Sequence, residues 1–189
     1  MRSKKQRRTR EAAAAPVGRI VEEIRQTRPF TSVEREAAVT LLRTGDVVRH
    51  SVESALRPWG ISPEQYNVLR ILRGADAQGL PTLEIAERML ARSPNITRLL
   101  DKMVESGLAE RRAMPGDRRV VRVVATAKGR AVTAELDEAT GAILKRLSTL
   151  EPEELRTLVT LLDAVRERLA TETVREAAAS SRKLKAALR

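Results

Sequence analysis

The chain has 189 residues, a formal net charge of +11 and no cysteine, which excludes disulfides, thiolate metal sites and thiol redox chemistry. Apolar residues make up 42 % but aromatics only 2 %: Phe30, Trp59 and Tyr66. The core must therefore come from Leu, Val, Ile and Ala, which suits packed helices better than an all-β sandwich. No stretch approaches the roughly 18 apolar residues that a spanning helix needs. The basic start could pass for a targeting segment, but Pro16, Gly18 and Arg19 interrupt its apolar run, and a cytoplasmic protein with no membrane partner is expected.

The charge is unevenly spread. Residues 1–32 sum to +6, residues 33–89 to −1, residues 90–130 to +6, residues 131–171 to −3 and the tail 172–189 to +3. A basic block inside the folded middle, between near-neutral and acidic helices, points to a binding face for a polyanion.

Residues 1–16 carry no apolar period and are expected to form a disordered basic arm. Val17, Ile20, Val21 and Ile24 repeat at helical spacing, predicting a short helix before Pro29. Val33, Ala37, Leu41, Val48, Val52 and Leu56 lie on one stripe and predict a longer helix over 33–56. Pro58 and Gly60 then break the chain. Ser62 can cap, Pro63 sits at a first helical position, and Gln65 completes a capping box, so a helix starts there with Val68, Leu69 and Leu72 inward.

"GADAQGLP" reads as a polar turn, and "TLEIAERM" as a short helix capped by Thr82. "LARSPNITRLLDKMVESGL" follows, with Ser93 and Pro94 as a cap-then-proline start. Ile96, Leu99, Leu100 and Met103 face inward, and Gly107 serves as a left-handed stop. Two helices so closely joined form a helix-turn-helix.

After Gly107 the period changes to two. "LAERRA" and "RVVRVVATA", separated by "MPGDR", predict a hairpin. Thr126 then starts a helix carrying Val132, Leu136, Ile143, Leu147 and Leu150 on one side. Pro152 opens another, in which Leu155, Leu158, Leu162, Val165 and Leu169 step by 3, 4, 3, 4, a short heptad seam for a partner helix.

The fold class is thus mainly α with a small β-hairpin: a winged helix-turn-helix framed by long N- and C-terminal helices. The boundaries fall at a disordered arm 1–16, N-terminal helices 17–57, a winged helix-turn-helix domain 58–125, C-terminal helices 126–172 and a basic tail 173–189. The helix over 93–106 presents Ser93, Asn95, Thr97, Arg98 and Lys102 on its polar side, side chains able to reach base edges or phosphates in a major groove. The hairpin extends Arg118 or Arg119 sideways, where a guanidinium entering a minor groove meets concentrated negative potential. Arg111 and Arg112 join this basic set, although one of them could instead buttress the wing through Asp101 or Glu110.

His50 stands alone, with no second histidine or cysteine, so no metal site, cofactor or nucleophile–base pair can be assembled around it, and no enzymatic activity is expected.

The segment 96–130 resembles the MarR-type transcriptional regulators through Thr97-Arg98, Asp101, Gly107-Leu108, Arg111-Arg112, Asp117-Arg118-Arg119 and Thr126-Ala127-Lys128-Gly129. Ala125 departs from the family pattern, which usually has leucine there. The resemblance spans roughly residues 33–171 and leaves both ends unmatched. It implies a homodimer with interlocking terminal helices on a pseudo-palindromic double-stranded operator, recognition helices sitting in major grooves about 34–36 Å apart. It also implies that Arg98 reads the major groove, that Arg119 enters the minor groove, and that Asp117 and Asp101 hold nearby arginines.

Regulators of this type often take a small aromatic effector between the dimer helices and the winged lobe. Trp59 and Tyr66 fall near that place, with core or interface packing as the alternative use of such scarce aromatics. The expected function is a sequence-specific repressor released by an effector. The alternative is an architectural DNA-binding protein with little sequence preference.

Overall fold

The structure is a computed structural model that describes residues 18–91, 94–114 and 117–187, side chains at 114, 117–120 and 172–187 excepted. The expected arm 1–16 and Ser93 lie outside the described residues, as do the side chains of Asp117, Arg118 and Arg119. The chain divides into two compact units, one ending at Thr140 and one beginning at Gly141.

The first unit opens with α1 (Ile20–Glu23), a single turn where a helix up to Pro29 was expected. No side chain caps it, and Arg25 turns into the left-handed region at φ 51°. A segment this short is held by tertiary contacts rather than propensity. Ile20 and Phe30 are buried, and the Gly18 N–H donates to Glu36 Oε1 at 2.7 Å on α2 (Val33–Leu56). The range of α2 is the one that the apolar stripe predicts. Its two ends are covered, at Glu36 and at the fully buried Leu56, whereas Val33, Leu41 and Val48 on the stripe are exposed.

A 3-10 turn at Arg57–Trp59 leads into α3 (Pro63–Arg73). Its capping box is complete: Ser62 Oγ accepts from the Gln65 N–H at 3.2 Å and Gln65 Oε1 from the Ser62 N–H at 2.9 Å. The following turn contains an element that the sequence reading lacks, the two-residue strand β1 (Leu80–Pro81). Gly79 makes it possible. Its φ is +74°, and a Cβ there would stand 2.2 Å from the Val123 carbonyl oxygen, so only glycine lets the backbone come this close.

Helix α4 (Thr82–Arg88) begins at Thr82, which is its first residue and not its cap; Pro81 holds the cap position without a side-chain bond. Helix α5 (Ile96–Glu105), by contrast, starts later than the expected Ser93-Pro94. Its cap is Asn95, whose Oδ1 accepts from the Arg98 N–H at 3.3 Å. At the other end the Gly107 N–H reaches Val104 O and the Leu108 N–H reaches Met103 O, both at 2.9 Å, while Gly107 takes φ +70°. This is the left-handed stop expected of Gly107, paired as a Schellman motif.

The hairpin strands β2 (Ala109–Met114) and β3 (Asp117–Ala125) run closer to the tip than "MPGDR" suggests. The sheet order is β1-β3-β2, all antiparallel. Regular pairing holds from Ala109↔Ala125 to Ala113↔Val121, then slips, because Met114 pairs with Asp117. Residues 118–120 are therefore extra on β3, a bulge that carries the Arg118-Arg119 backbone.

Helix α6 (Ala127–Leu147) is capped by Thr126, whose Oγ1 accepts from the Gly129 N–H at 3.0 Å. The core of the first unit gathers Leu56, Val68, Leu69, Ile85, Leu100, Met103, Val123 and Leu136, each with no exposed surface. Burying a side chain of this size contributes about 1.5–3 kcal/mol, so this cluster fixes where α5 can lie.

In the second unit, α7 (Pro152–Ala187) continues well past residue 172, so the expected basic tail is backbone helix as far as Ala187. No residue of this unit is buried among those whose side chains are described. Leu144, Leu158, Val165 and Leu169 are all exposed.

Candidate nucleic-acid interface

Helix α5 has two unlike faces. Leu100 and Met103 are fully buried, and Ile96 and Leu99 are packed against the same core. One-third of a turn away, Asn95, Thr97, Arg98 and Lys102 are exposed. Arg98 and Lys102 are four residues apart and so share one stripe. Among the described residues, no carboxylate pairs with either of them. Asn95 spends its side-chain oxygen on the helix cap, and its amide nitrogen remains available as a donor.

The two arginines ahead of the wing tip have distinct partners. Arg111 Nη1 donates to Asp101 Oδ1 at 2.6 Å, joining β2 to α5. Arg112 Nε donates to Glu110 Oε1 at 2.6 Å on the same strand. Strand alternation explains the split: Arg111 pairs in register with the buried Val123, while Arg112 faces the other side of the sheet with Arg122. Arg118 and Arg119 have backbone in β3, but their side chains fall outside the described residues, as does the side chain of Asp117.

The start of α6 grips the end of α5. Thr126 Oγ1 donates to Gly107 O at 2.6 Å, and Lys128 Nζ donates to Ser106 O at 2.8 Å. Gly129 packs so tightly that a Cβ would lie 2.0 Å from Leu108 O. A lysine at the last carbonyls of a helix also complements its dipole. Lys128 was not among the expected site residues, though it sits inside the Thr-x-x-Gly stretch. At the opposite end, Asn67 Oδ1 accepts from the Leu90 N–H at 2.8 Å and so pins the turn between α4 and α5 to α3. Nothing in the sequence pattern points to Asn67.

The two aromatics are engaged with α6. Trp59 Nε1–H donates to Glu135 Oε2 at 3.0 Å, and Tyr66, which is buried, shares its hydroxyl with Asp137 Oδ1 at 2.5 Å and Thr140 Oγ1 at 2.9 Å. Arg73 pairs with Asp137, and the Arg70 guanidinium lies 5.8 Å over the Tyr66 ring. Burial, with the bond to Asp137, raises the Tyr66 phenol above its ordinary value. Burial works against the Asp137 charge as well. The bonds from Tyr66 and Arg73 and the charges of Arg73 and Arg70 outweigh it, and the carboxyl ends below its ordinary 3.8.

A helix held from both ends, exposing a basic stripe and tied at its side to a β-hairpin, is the winged helix-turn-helix, a class of DNA-binding fold. The sequence profile of the MarR family matches residues 61–121. The HTH-type transcriptional regulator YkoM of Bacillus subtilis is 30 % identical over 70 % of this chain and 88 % of its own. The MarR transcription factor of Planctomyces limnophilus is 36 % identical over 71 % of this chain and 98 % of its own, with a TM-score of 0.54. The transcriptional repressor CouR, solved on a 23-mer DNA duplex, is 27 % identical over 70 % of this chain and 94 % of its own, with a TM-score of 0.61. CouR from Rhodococcus jostii has also been solved with p-coumaroyl-CoA, at 26 % identity, over 68 % of this chain and 89 % of its own, with a TM-score of 0.59. The chain belongs to the MarR family of DNA-binding transcriptional regulators.

Proposed function

We propose that this protein is a homodimeric repressor that binds a pseudo-palindromic duplex through α5 and the wing and is released by a small-molecule effector. The observation that carries the reading is the two-faced α5: a buried Leu100/Met103 side fixes the helix and leaves an Arg98/Lys102 stripe exposed. Ser93, Asn95, Thr97, Arg98 and Lys102 enter the major groove, and Arg118 or Arg119 enters the minor groove from the bulged wing. Asp101, through its bond to Arg111, supports the wing, and Arg112 contributes basic charge beside it. Asp117 has the same supporting role at the tip.

Residues 17–57 and 126–172 supply the dimer contacts. A unit with no buried residue among its described side chains gains little to offset the conformational entropy of ordering its chain, and the Leu155–Leu169 seam supplies the apolar surface that a second copy would cover. The protein works in the cytoplasm on the genome, without enzymatic chemistry. CouR, which has been solved both on DNA and with a CoA ester, supports release by a ligand. Such a ligand acts only by binding one spacing of the recognition helices better than the other. The bonds of Trp59 and Tyr66 to α6 favour a packing role for both over direct contact with an effector.

Two measurements test this. Footprinting on duplexes selected from a random pool yields a discrete, two-fold symmetric protected site; uniform protection at all sequences would instead identify an architectural binder. Sedimentation of the Leu158→Glu/Leu162→Glu variant shows a monomer where the unaltered chain is a dimer; an unchanged dimer would remove the seam from the interface.

A further inference from the structure

Helix α5 is tied unevenly along its length. Its end is gripped by the start of α6, through Thr126 to Gly107 O and Lys128 to Ser106 O, and its middle is held by Arg111 through Asp101. Its start, with Asn95, Thr97 and Arg98, depends on the turn that arrives from α4. That turn packs little: Leu90 is 91 % exposed, and Ala91, Pro94 and Asn95 are exposed as well. Main-chain bonds add little more. Helix α4 ends where Met89 turns extended at ψ 137°, its N–H reaching Ala86 O at 3.4 Å.

What holds the turn is a side chain from another element. The Leu90 N–H donates to Asn67 Oδ1 on α3 at 2.8 Å. Among the described residues, this is the one side-chain bond between the stretch 89–95 and an element outside the helix-turn-helix. Only the carboxamide oxygen can accept from an N–H, so the bond also fixes which way the Asn67 amide faces. A turn held by a hydrogen bond and not by packing makes the position of the helix start depend on a single acceptor. Base-edge contacts need their donors within about 0.5 Å and 10–20° of the productive place, whereas attraction to phosphates tolerates displacement. A looser turn therefore removes discrimination between sequences before it removes the grip on DNA.

We propose that Asn67 is a positioning residue for sequence discrimination. It touches no DNA; by fixing the Leu90 amide it holds the start of α5, and with it Asn95, Thr97 and Arg98, in the orientation that reads base edges. The proposal rests on the reading of α5 as the duplex-binding helix.

The test is the ratio of affinities of the full chain for a selected palindromic duplex and a random duplex, at fixed salt. Asn67→Leu is close in volume but has no acceptor, and it lowers the ratio about three- to tenfold, the range over which one hydrogen bond shifts an equilibrium. Asn67→Asp keeps an acceptor; its added charge weakens both duplexes alike, and the ratio stays that of the unaltered chain. Asp76→Ala removes a bond of the same kind, to the Gln78 N–H at 2.8 Å in the turn before β1, and leaves the ratio unchanged. A merely structural role for Asn67 would lower the folded fraction and weaken both duplexes equally, which the ratio does not register. Without DNA, hydrogen exchange at the Leu90 amide quickens in Asn67→Leu and not in Asn67→Asp.

The proposal is overturned if Asn67→Leu leaves the ratio or the Leu90 exchange unchanged, or if Asp76→Ala loses as much. It is also overturned if Asn67→Asp loses as much discrimination as Asn67→Leu, since the amide N–H would then be a direct contact. Arg98→Ala separates the two levels. Should it leave the ratio unchanged, the reading of α5 fails and the proposal with it; should it lower the ratio while Asn67→Leu does not, only the positioning role of Asn67 fails.

Discussion

Arg111 on the first wing strand donates to the Asp101 carboxylate on α5 at 2.6 Å, and this bond ties the helix to the wing. Both side chains are more than a third exposed, so the pair contributes little to folding. Asp101→Ala and Arg111→Ala should each destabilise the chain by less than about 1 kcal/mol in urea, followed by the fluorescence of the only tryptophan, Trp59. Duplex affinity should fall several-fold in both, and the double variant should lose no more than the worse single one. Additive losses in affinity would mean that the two residues act separately.

The contact between Gly129 and the Leu108 carbonyl predicts a sharp asymmetry along one helix. Gly129→Ala places a methyl group 2.0 Å from that oxygen and should destabilise by at least about 2 kcal/mol, lowering the melting temperature accordingly. Gly141→Ala, with open space around its Cβ position, should instead stabilise by up to about 1 kcal/mol. Equal melting temperatures for the two variants would refute the close approach.

The Tyr66–Asp137–Arg73 network predicts a defined acid limb. The folded Asp137 carboxyl lies below its unfolded value, so its contribution to stability is complete above the ordinary 3.8 and is lost as pH falls from there through the folded value. The Tyr66 phenol is raised, so its contribution holds below the ordinary 10.0 and is lost at higher pH. Asp137→Asn should therefore flatten the acid limb of the melting temperature below about pH 4, where the unfolded carboxylate begins to take up its proton. A limb as steep as that of the unaltered chain would place the acid sensitivity elsewhere.

The sequence made the frame of this fold legible wherever a local signal and the packing agreed. Ser62, Pro63 and Gln65 announce α3, Gly107 announces the end of α5, and Thr126 with Gly129 announces α6. It failed where local signals competed. Ser93-Pro94 and Asn95 are both good starts, and the helix takes Asn95, whose side chain caps the Arg98 N–H. A two-residue strand such as Leu80–Pro81 has no alternation to detect. Which of Arg111 and Arg112 meets Asp101 depends on the register with Val123, a long-range fact absent from "ERR". Lys128 and Asn67 act through backbone groups of another element, and no periodicity reports that.

The most direct test of the central claim is a gel shift at fixed salt on a selected palindromic duplex, comparing Arg98→Ala and Arg119→Ala with the double change Lys4→Ala/Lys5→Ala. The account predicts that each single arginine change removes at least about tenfold of specific affinity, the discrimination a base or groove contact supplies. The arm change should weaken all duplexes alike through lost counterion release. Equal losses from all three variants, on palindrome and random duplex alike, would contradict it.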